Sequence, residues 1–361
     1  MPKKPNVLLF LTDDQRFDTI RALGNPEIQT PHLDALVASG TAFTQAHIPG
    51  GTCGAVCMPS RAMLHTGRTL FHLQGEGQEI PITHPTLAEV FRAAGYQTFG
   101  TGKWHNGRAA FARGFTGGDQ IFFGGMTDHW NVPAYRFDPT GRYEARQPYV
   151  ADPARSNTVQ WRPCDHIIAG KHSTDLFRDA ALQFLSTRNH AQPFFLSVAL
   201  LAPHDPRTMP EAFRALYDPA QLALPANFLP EHPLDTGALR IRDELLAPHP
   251  RTPEDIRRHL AEYYAMITHL DAALGALTAQ LRAAGELDRT VIVVAGDNGL
   301  AVGQHGLMGK QNLYDHSVRV PLVFSGPGIP AGRQCPALTY LLDVFPTLCD
   351  LSGLATPPSV E

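Results

Sequence analysis

Cys57 opens the run Cys57-Met58-Pro59-Ser60-Arg61, and Leu64-His65-Thr66-Gly67-Arg68 follows almost at once. A thiol two residues ahead of a proline, with an arginine close behind, reads as a reactive group set at the start of a helix. Pro59 suits a first helical turn, where its missing N–H is not needed. The free N–H groups and positive dipole end of such a helix face an anion.

Other polar residues fall just after apolar, strand-like runs. Asp13 and Asp14 follow residues 6–12, Lys103 and His105 follow residues 96–101, His204 follows residues 193–200, and Asp297-Asn298 follow residues 290–295. In open α/β sheets ligands bind beyond the carboxyl ends of the strands, so these segments are expected to converge on one crevice. Chemically they form two sets. Asp13, Asp14, Asp297 and Asn298 are hard oxygen donors that suit Ca²⁺ or Mg²⁺. Arg61, Lys103, His105, His204 and Lys310 are donors or titratable groups able to hold a tetrahedral oxyanion. Three carboxyls cannot crowd together unpaired without large pKa shifts, and a divalent cation relieves that conflict. Taken singly, each has a plainer reading: an aspartate after a strand as a turn or cap residue, Lys310 as a solvated surface lysine, Cys57 as a small buried hydrophobe. The adjacent pairs Asp13-Asp14 and Asp297-Asn298 are what the plainer reading explains least well.

These side chains need a scaffold, and the chain alternates strand-like with helical segments. Residues 6–12, 96–101, 193–200, 290–295 and 320–324 are continuous apolar runs, as expected for strands covered on both faces. Residues 30–39, 85–94, 174–188 and 339–351 read as helices. The longest helix is expected over 253–284, with Thr252 as cap, Pro253 in the first turn and Gly285 as the stop. This alternation predicts an α/β fold with a mostly parallel central sheet sandwiched between helices. The whole of 1–361 reads as one domain. Residues 107–170, rich in Gly, Pro and aromatics, and the Pro-rich residues 202–252 are long for connections and read as lids or substrate-shaping insertions.

Composition narrows the function. Charged residues make up 18% and hydrophobic ones 43%, a globular balance. A net charge of −4 without a basic stripe gives no footprint for nucleic acid. No stretch approaches the roughly 20 apolar residues of a membrane span. Five scattered cysteines form no C-x-x-C pair, and their odd number leaves at least one thiol free. The apolar run after Met1-Pro2-Lys3-Lys4-Pro5 is short for a signal peptide and leads straight into Asp13-Asp14. The expectation is therefore a cytoplasmic protein as the sequence stands, periplasmic or secreted if a leader has been removed.

The motifs together resemble the formylglycine-dependent sulfatases of the alkaline-phosphatase superfamily. The resemblance rests on Pro5-Asn6-Val7 through Asp13-Asp14, C-x-P-S-R followed by L-x-T-G-R, Gly100-Thr101-Gly102-Lys103-Trp104-His105, Ala202-Pro203-His204-Asp205-Pro206, Gly296-Asp297-Asn298-Gly299, Gly309-Lys310 and Arg319-Val320-Pro321-Leu322. It implies that Cys57 is converted to formylglycine (3-oxoalanine) by a maturation enzyme, and that the aldehyde hydrate attacks sulfur. It further implies a metal, Ca²⁺ with Mg²⁺ as the alternative, held by Asp13, Asp14, Asp297, Asn298 and the modified Cys57. Arg61 would stabilise the hydrate, and Lys103 and Lys310 would grip sulfate oxygens. His204, helped by Lys310, would protonate the leaving alcohol, while His105 would take the proton that releases sulfate from the sulfo-enzyme hemiacetal. The family usually continues into a C-terminal antiparallel-sheet subdomain, whose absence is expected from a chain that stops at Glu361.

The leading reading is hydrolysis of a sulfate monoester, a sulfated carbohydrate in preference to a small aryl or alkyl sulfate. Asp205, Arg207, His129 and Trp130 are the expected substrate contacts. A phosphonate monoester or phosphodiester hydrolase with the same nucleophile is the alternative, and a non-catalytic sulfated-glycan binding protein is the third reading. Oligomeric state is not encoded in any pattern found.

Overall fold

Strand β1 (Asn6–Thr12) is buried along its whole length and forms the centre of the molecule. The computed structural model describes residues 4–361, so the first three residues of the N-terminal reading lie outside it. The remaining strands are β2 (Gly40–His47), β3 (Gln97–Lys103), β4 (Gly117–Phe122), β5 (Gln147–Tyr149), β6 (Gln160–Arg162), β7 (Phe194–Ala199), β8 (Thr290–Gly296), β9 (Leu322–Ser325) and β10 (Arg333–Tyr340). Eight of them form one sheet in the order β10-β2-β9-β8-β1-β7-β3-β4, and β5 and β6 make a separate pair. β9 runs antiparallel to both its neighbours, and the other pairings in the large sheet are parallel.

Alternate side chains of β1 feed two cores, because successive residues of a strand point to opposite faces. Leu8 and Phe10 pack on one side with Phe177, Leu270 and Leu274. Val7, Leu9 and Leu11 pack on the other with Phe91, Phe111 and Phe345. The helices are α1 (Pro31–Ser39), α2 (Cys57–Thr66), α3 (Leu87–Ala93), α4 (Arg108–Gly114), α5 (Ser173–Thr187), α6 (Glu211–Arg214), α7 (Pro253–Ala283), α8 (Asp315–Val318) and α9 (Val344–Leu351). Helices α1, α5 and α7 lie on the first face, and α2, α3, α4 and α9 on the second. None is long and apolar enough to cross a membrane. The expected sandwich of a mostly parallel sheet between helices is therefore the observed fold.

Helix α7 follows the sequence reading closely. The Thr252 hydroxyl accepts from the Asp255 amide at 3.1 Å, Pro253 occupies the first turn, and Gly285 takes φ +65° just beyond the end. Two expectations need correction. Residues 339–351 are not one helix: β10 runs to Tyr340, a single tight turn follows, and α9 begins only at Val344. Residues 107–170 are not simply an insertion, since they supply α4 and the edge strand β4. Lys103 also proves to be the last residue of β3 rather than a residue after it.

Its neighbour Gly102 shows how tightly that strand end is set. Gly102 has φ +90°, and a Cβ there would lie 1.8 Å from the Ala199 carbonyl oxygen of β7. Gly102→Ala is therefore expected to lose about 3 kcal/mol of stability through backbone strain and steric conflict, read as a lower midpoint in urea unfolding.

Candidate functional site

The carboxyl ends of β1, β3 and β8, the loop after β7, and the start of α2 meet at one point. Backbone bonds splice them together: the Asp13 amide donates to Ala202 O (3.1 Å) and the Asp297 amide to Thr12 O (3.0 Å). Tyr263 of α7 clamps the turn after β1, its hydroxyl donating to Asp14 O (2.6 Å) and accepting from the Arg16 amide (2.9 Å). Asp14 and His105 both take positive φ, 65° and 72°, a strained choice for non-glycine residues that concentrates at functional sites.

Arg61 is fully buried on α2 and reaches into this junction. Its Nε donates to Asp297 Oδ2 (2.7 Å), Nη1 to Lys103 O (2.8 Å) and Nη2 to Leu200 O (3.5 Å), with Asp13 Oδ2 at 3.7 Å from Nη2. Ser60 of the same helix donates to Asp297 O at 2.5 Å. Lys103 Nζ donates to Asp13 Oδ2 (2.5 Å), and Lys310 Nζ to Asp14 Oδ1 (2.7 Å). Asn298 Nδ2 also donates to Asp14 Oδ1 (2.5 Å), and Asp297 Oδ1 accepts from the Asp14 amide (3.1 Å). Three acids and three bases thus interlock.

Cys57 is the first residue of α2 and is buried. Lys103 Nζ stands 3.3 Å from its Sγ and His105 Nδ1 3.6 Å away. Burial pushes the thiol pKa up, and Asp13 and Asp297 add to that, against the pull of Lys103 and Lys310. An unmodified Cys57 is a protonated thiol here, the reverse of an activated nucleophilic cysteine. His105 is pushed down to about 2 by burial and by the Lys103 and Arg61 charges, so it stays a neutral base. His204 Nδ1 lies 2.8 Å from Asp205 O, a carbonyl that can only accept, so this nitrogen carries a proton and Nε2 faces Asp14 Oδ2 at 3.7 Å.

The acidic cluster fits a hard cation. Asp13 Oδ1 and Asn298 Oδ1 are buried without any hydrogen-bond partner, although oxygens so placed normally find one. Ligand atoms of Asp13, Asp14 and His204 lie within 4.8 Å of one another, as do those of Asp13, Cys57 and Asp297. Burial and the Asp13 charge push the Asp297 carboxyl up to about 6 despite Arg61. Burial would raise Asp13 too, but Lys103, His204, Arg61 and Lys310 hold it far below the usual carboxylate range. Two carboxyls displaced in opposite directions mark a site where negative charge is crowded.

Cys57, His105, His204 and Lys310 form the floor of a cleft of about 720 Å³. The four expected substrate contacts do not line it. His129 is buried behind His204, its Nε2 donating to His204 O (2.9 Å) and its Nδ1 2.6 Å from Ser173 Oγ. Trp130 packs edge-on against His172. Asp205 is buried in an ion pair with Arg242, and Arg207 turns away to His259 of α7 at 2.9 Å. The walls are instead Met126 from the first long segment and Ala238, Ile241, Arg242 and Asp243 from the second, with Cys53 and Gln311. Both segments do shape the cleft, but through residues whose types carried no signal of their own. Gln311, next to Lys310, ties the rims together by donating to Gly54 O and Asp243 Oδ2, both at 2.8 Å.

A fold and site of this kind define a metal-assisted hydrolase of oxyanion esters, and comparison with known proteins sharpens that. The sulfatase family matches residues 5–354, and the chain belongs to this family of sulfuric ester hydrolases. An N-acetylglucosamine-6-O-sulfatase of Bacteroides thetaiotaomicron is 24% identical over 420 residues, covering 99% of this chain and 70% of the relative. A ulvan-active sulfatase of Formosa agariphila is 29% identical over 378 residues, covering 100% and 64%. The chain thus spans roughly two thirds of these relatives' lengths. Among solved structures, a protein in complex with its substrate D-glucosamine-2-N,6-O-disulfate superposes with a TM-score of 0.77 at 22% identity, over 99% of this chain and 78% of that one. A phosphonate monoester hydrolase of Agrobacterium radiobacter gives 0.74 at 25% identity, over 98% and 74%.

Because Arg61 is the buried partner of two carboxylates, Arg61→Ala is expected to cost about 3–5 kcal/mol by stranding uncompensated charge. Urea unfolding of this variant beside Arg61→Lys would check it, with the lysine recovering only part of the loss.

Proposed function

We propose that the chain hydrolyses the sulfate ester of a carbohydrate at residue 57. The observation that carries this reading is the junction of two half-sites: a residue flanked by Lys103 and His105, and an acidic cluster with two buried, unpartnered oxygens. The carbohydrate preference draws on the relatives named for acting on N-acetylglucosamine 6-O-sulfate and ulvan.

On this reading a formylglycine-generating or equivalent enzyme converts Cys57 to formylglycine, whose hydrate supplies the attacking hydroxyl. Asp13, Asp14, Asp297 and Asn298 would hold Ca²⁺, with a residue-57 oxygen completing the shell; when bound, the ion supplies positive charge that polarises a sulfate oxygen. Ca²⁺ is preferred to Mg²⁺ because the four side chains are 0 to 2% exposed, leaving little room for the waters Mg²⁺ retains.

The chain's own residues do the rest. Lys103 and Lys310 lie on either side of residue 57 and hold the ester's oxygens by charge-assisted hydrogen bonds. His204 reaches the leaving alcohol through Nε2 and protonates it, with Nδ1 anchored on Asp205 O. His105, neutral and within reach of residue 57, takes the proton as sulfate departs. Arg61 makes no hydrogen bond to Cys57 and acts by fixing Asp297 and the Lys103 and Leu200 carbonyls.

Chelation should lower the melting temperature and Ca²⁺ should restore it, by about 2.7 kcal/mol at a hundredfold excess over Kd. A melting temperature indifferent to chelator and Ca²⁺ would remove the metal from the reading.

The phosphonate hydrolase neighbour keeps a second reading open, since a cluster neutral in its own charges, with a divalent cation added, attracts either ester. Matured protein is expected to turn over nitrophenyl sulfate well ahead of bis-nitrophenyl phosphate, and the opposite preference would transfer the assignment. Cys57→Ala should abolish turnover while leaving the circular dichroism unchanged. Intact mass should fall by about 18 Da on maturation, as S and two H are replaced by O.

A further inference from the structure

The largest cleft, about 770 Å³, is not the one over Cys57 and shares no lining residue with it. One wall is a ladder of rings: His305 stacks on Tyr314 with centroids 4.2 Å apart and planes 15° apart, and His316 continues the stack at 5.4 Å from Tyr314. Tyr264, Leu224 and Pro225 add apolar surface. Polar groups are few and held in place. Asn227 donates to His305 Nε2 at 2.9 Å, so the His305 proton resides on Nδ1. Arg16 gives Nε and Nη2 to Asp18 at 2.7 and 3.2 Å. Arg16 is 2% exposed and its Nη1 has no partner; His316 is 5% exposed and its Nε2 has none either. Two buried, idle nitrogens lining an open cleft beside flat rings call for a ligand with hydroxyl groups and an apolar face.

Charge narrows the ligand. Arg16 is matched by Asp18, and Glu27 and Asp315 stand in the same cleft without a second cation. An anionic group is disfavoured here and a neutral ring is not. The position supplies a reason for the site. A smaller depression of about 330 Å³ shares Gly51, Cys53, Lys310 and Gln311 with the catalytic cleft, and Leu313 with the ring-lined one. The three form a continuous track.

We propose that the ring-lined cleft binds a neutral, unsulfated sugar unit of the same glycan whose sulfate ester sits over residue 57. This rests on the carbohydrate reading above and deepens it: the substrate is an oligomer or polymer, sulfated at intervals, and not a lone monosaccharide. The rings of His305 and Tyr314 stack on the sugar's apolar face, while Arg16 Nη1 and His316 Nε2 bond its hydroxyls.

The test is a direct binding measurement that needs no turnover. Saturation-transfer NMR and calorimetry with the Cys57→Ala protein would use unsulfated agarose tetrasaccharide and chitotriose as probes, alongside their sulfated counterparts. At least one neutral probe is expected to bind and to lose about tenfold in affinity in His305→Ala and in Tyr314→Ala. Both side chains are partly exposed, so folding is expected to survive, and a thermal melt of each variant checks that. No binding of either neutral probe, or binding that both variants leave untouched, would overturn the proposal. Nitrophenyl sulfate turnover by matured wild-type protein reports the catalytic cleft independently, so its presence without neutral-sugar binding rejects the second site alone.

Discussion

The site depends on one buried guanidinium. Arg61 joins four chain segments that are distant in sequence: α2, which carries it, β8 through Asp297, the end of β3 through Lys103 O, and the loop after β7 through Leu200 O. Arginine's planar fork makes this feasible, since several fixed N–H directions are satisfied by one rigid group. A lysine could reach one of these partners but could not set the angle between them. The residue that carries Cys57 into the cleft is thus tied to the residue that would ligate the metal, and the helix start cannot drift relative to the acidic cluster.

That tie also governs the electrostatics. Asp13, Asp14 and Asp297 are matched by Lys103, Lys310 and Arg61, so the protein can fold with this cluster sealed from water. The match is only partly local. Asp13 is held low by the bases beside it, whereas Asp297 is pushed up by burial and by Asp13 itself. A divalent cation stabilises both carboxylates and leaves the lysines free to serve the substrate. The lysines therefore have two sets of partners available, acids within the protein and oxygens of an anionic ester.

How much of this was legible depended on whether chemistry or geometry did the choosing. β1 and α7 could be read because burial on both faces and good caps leave direct marks in sequence. β10 could not: it is an edge strand, mostly exposed, with Pro336 and a register shift within it, and so lacks an apolar run. The cluster was legible because adjacent acids after apolar strands have few structural uses. The cleft walls were not. His129 looked like a ligand contact by type, but tertiary packing uses it to hold the His204 carbonyl, while Ile241 and Arg242 gained their place only from the path of a loop. The strained φ of Asp14 and His105 left no sequence signal, because neither is glycine.

The division of labour follows from the same physics. Groups that must hold charge at fixed distances sit at the ends of paired strands, where backbone hydrogen bonds limit movement. Groups that select a substrate sit on segments between strands, which can change length and composition without disturbing the sheet. Asp205 shows where the two meet: next in sequence to His204, it is paired with Arg242 on the cleft wall. Through that pair the wall that meets the substrate is mechanically continuous with the proton donor. Selection and chemistry are separate in sequence here, but only one ion pair apart in space.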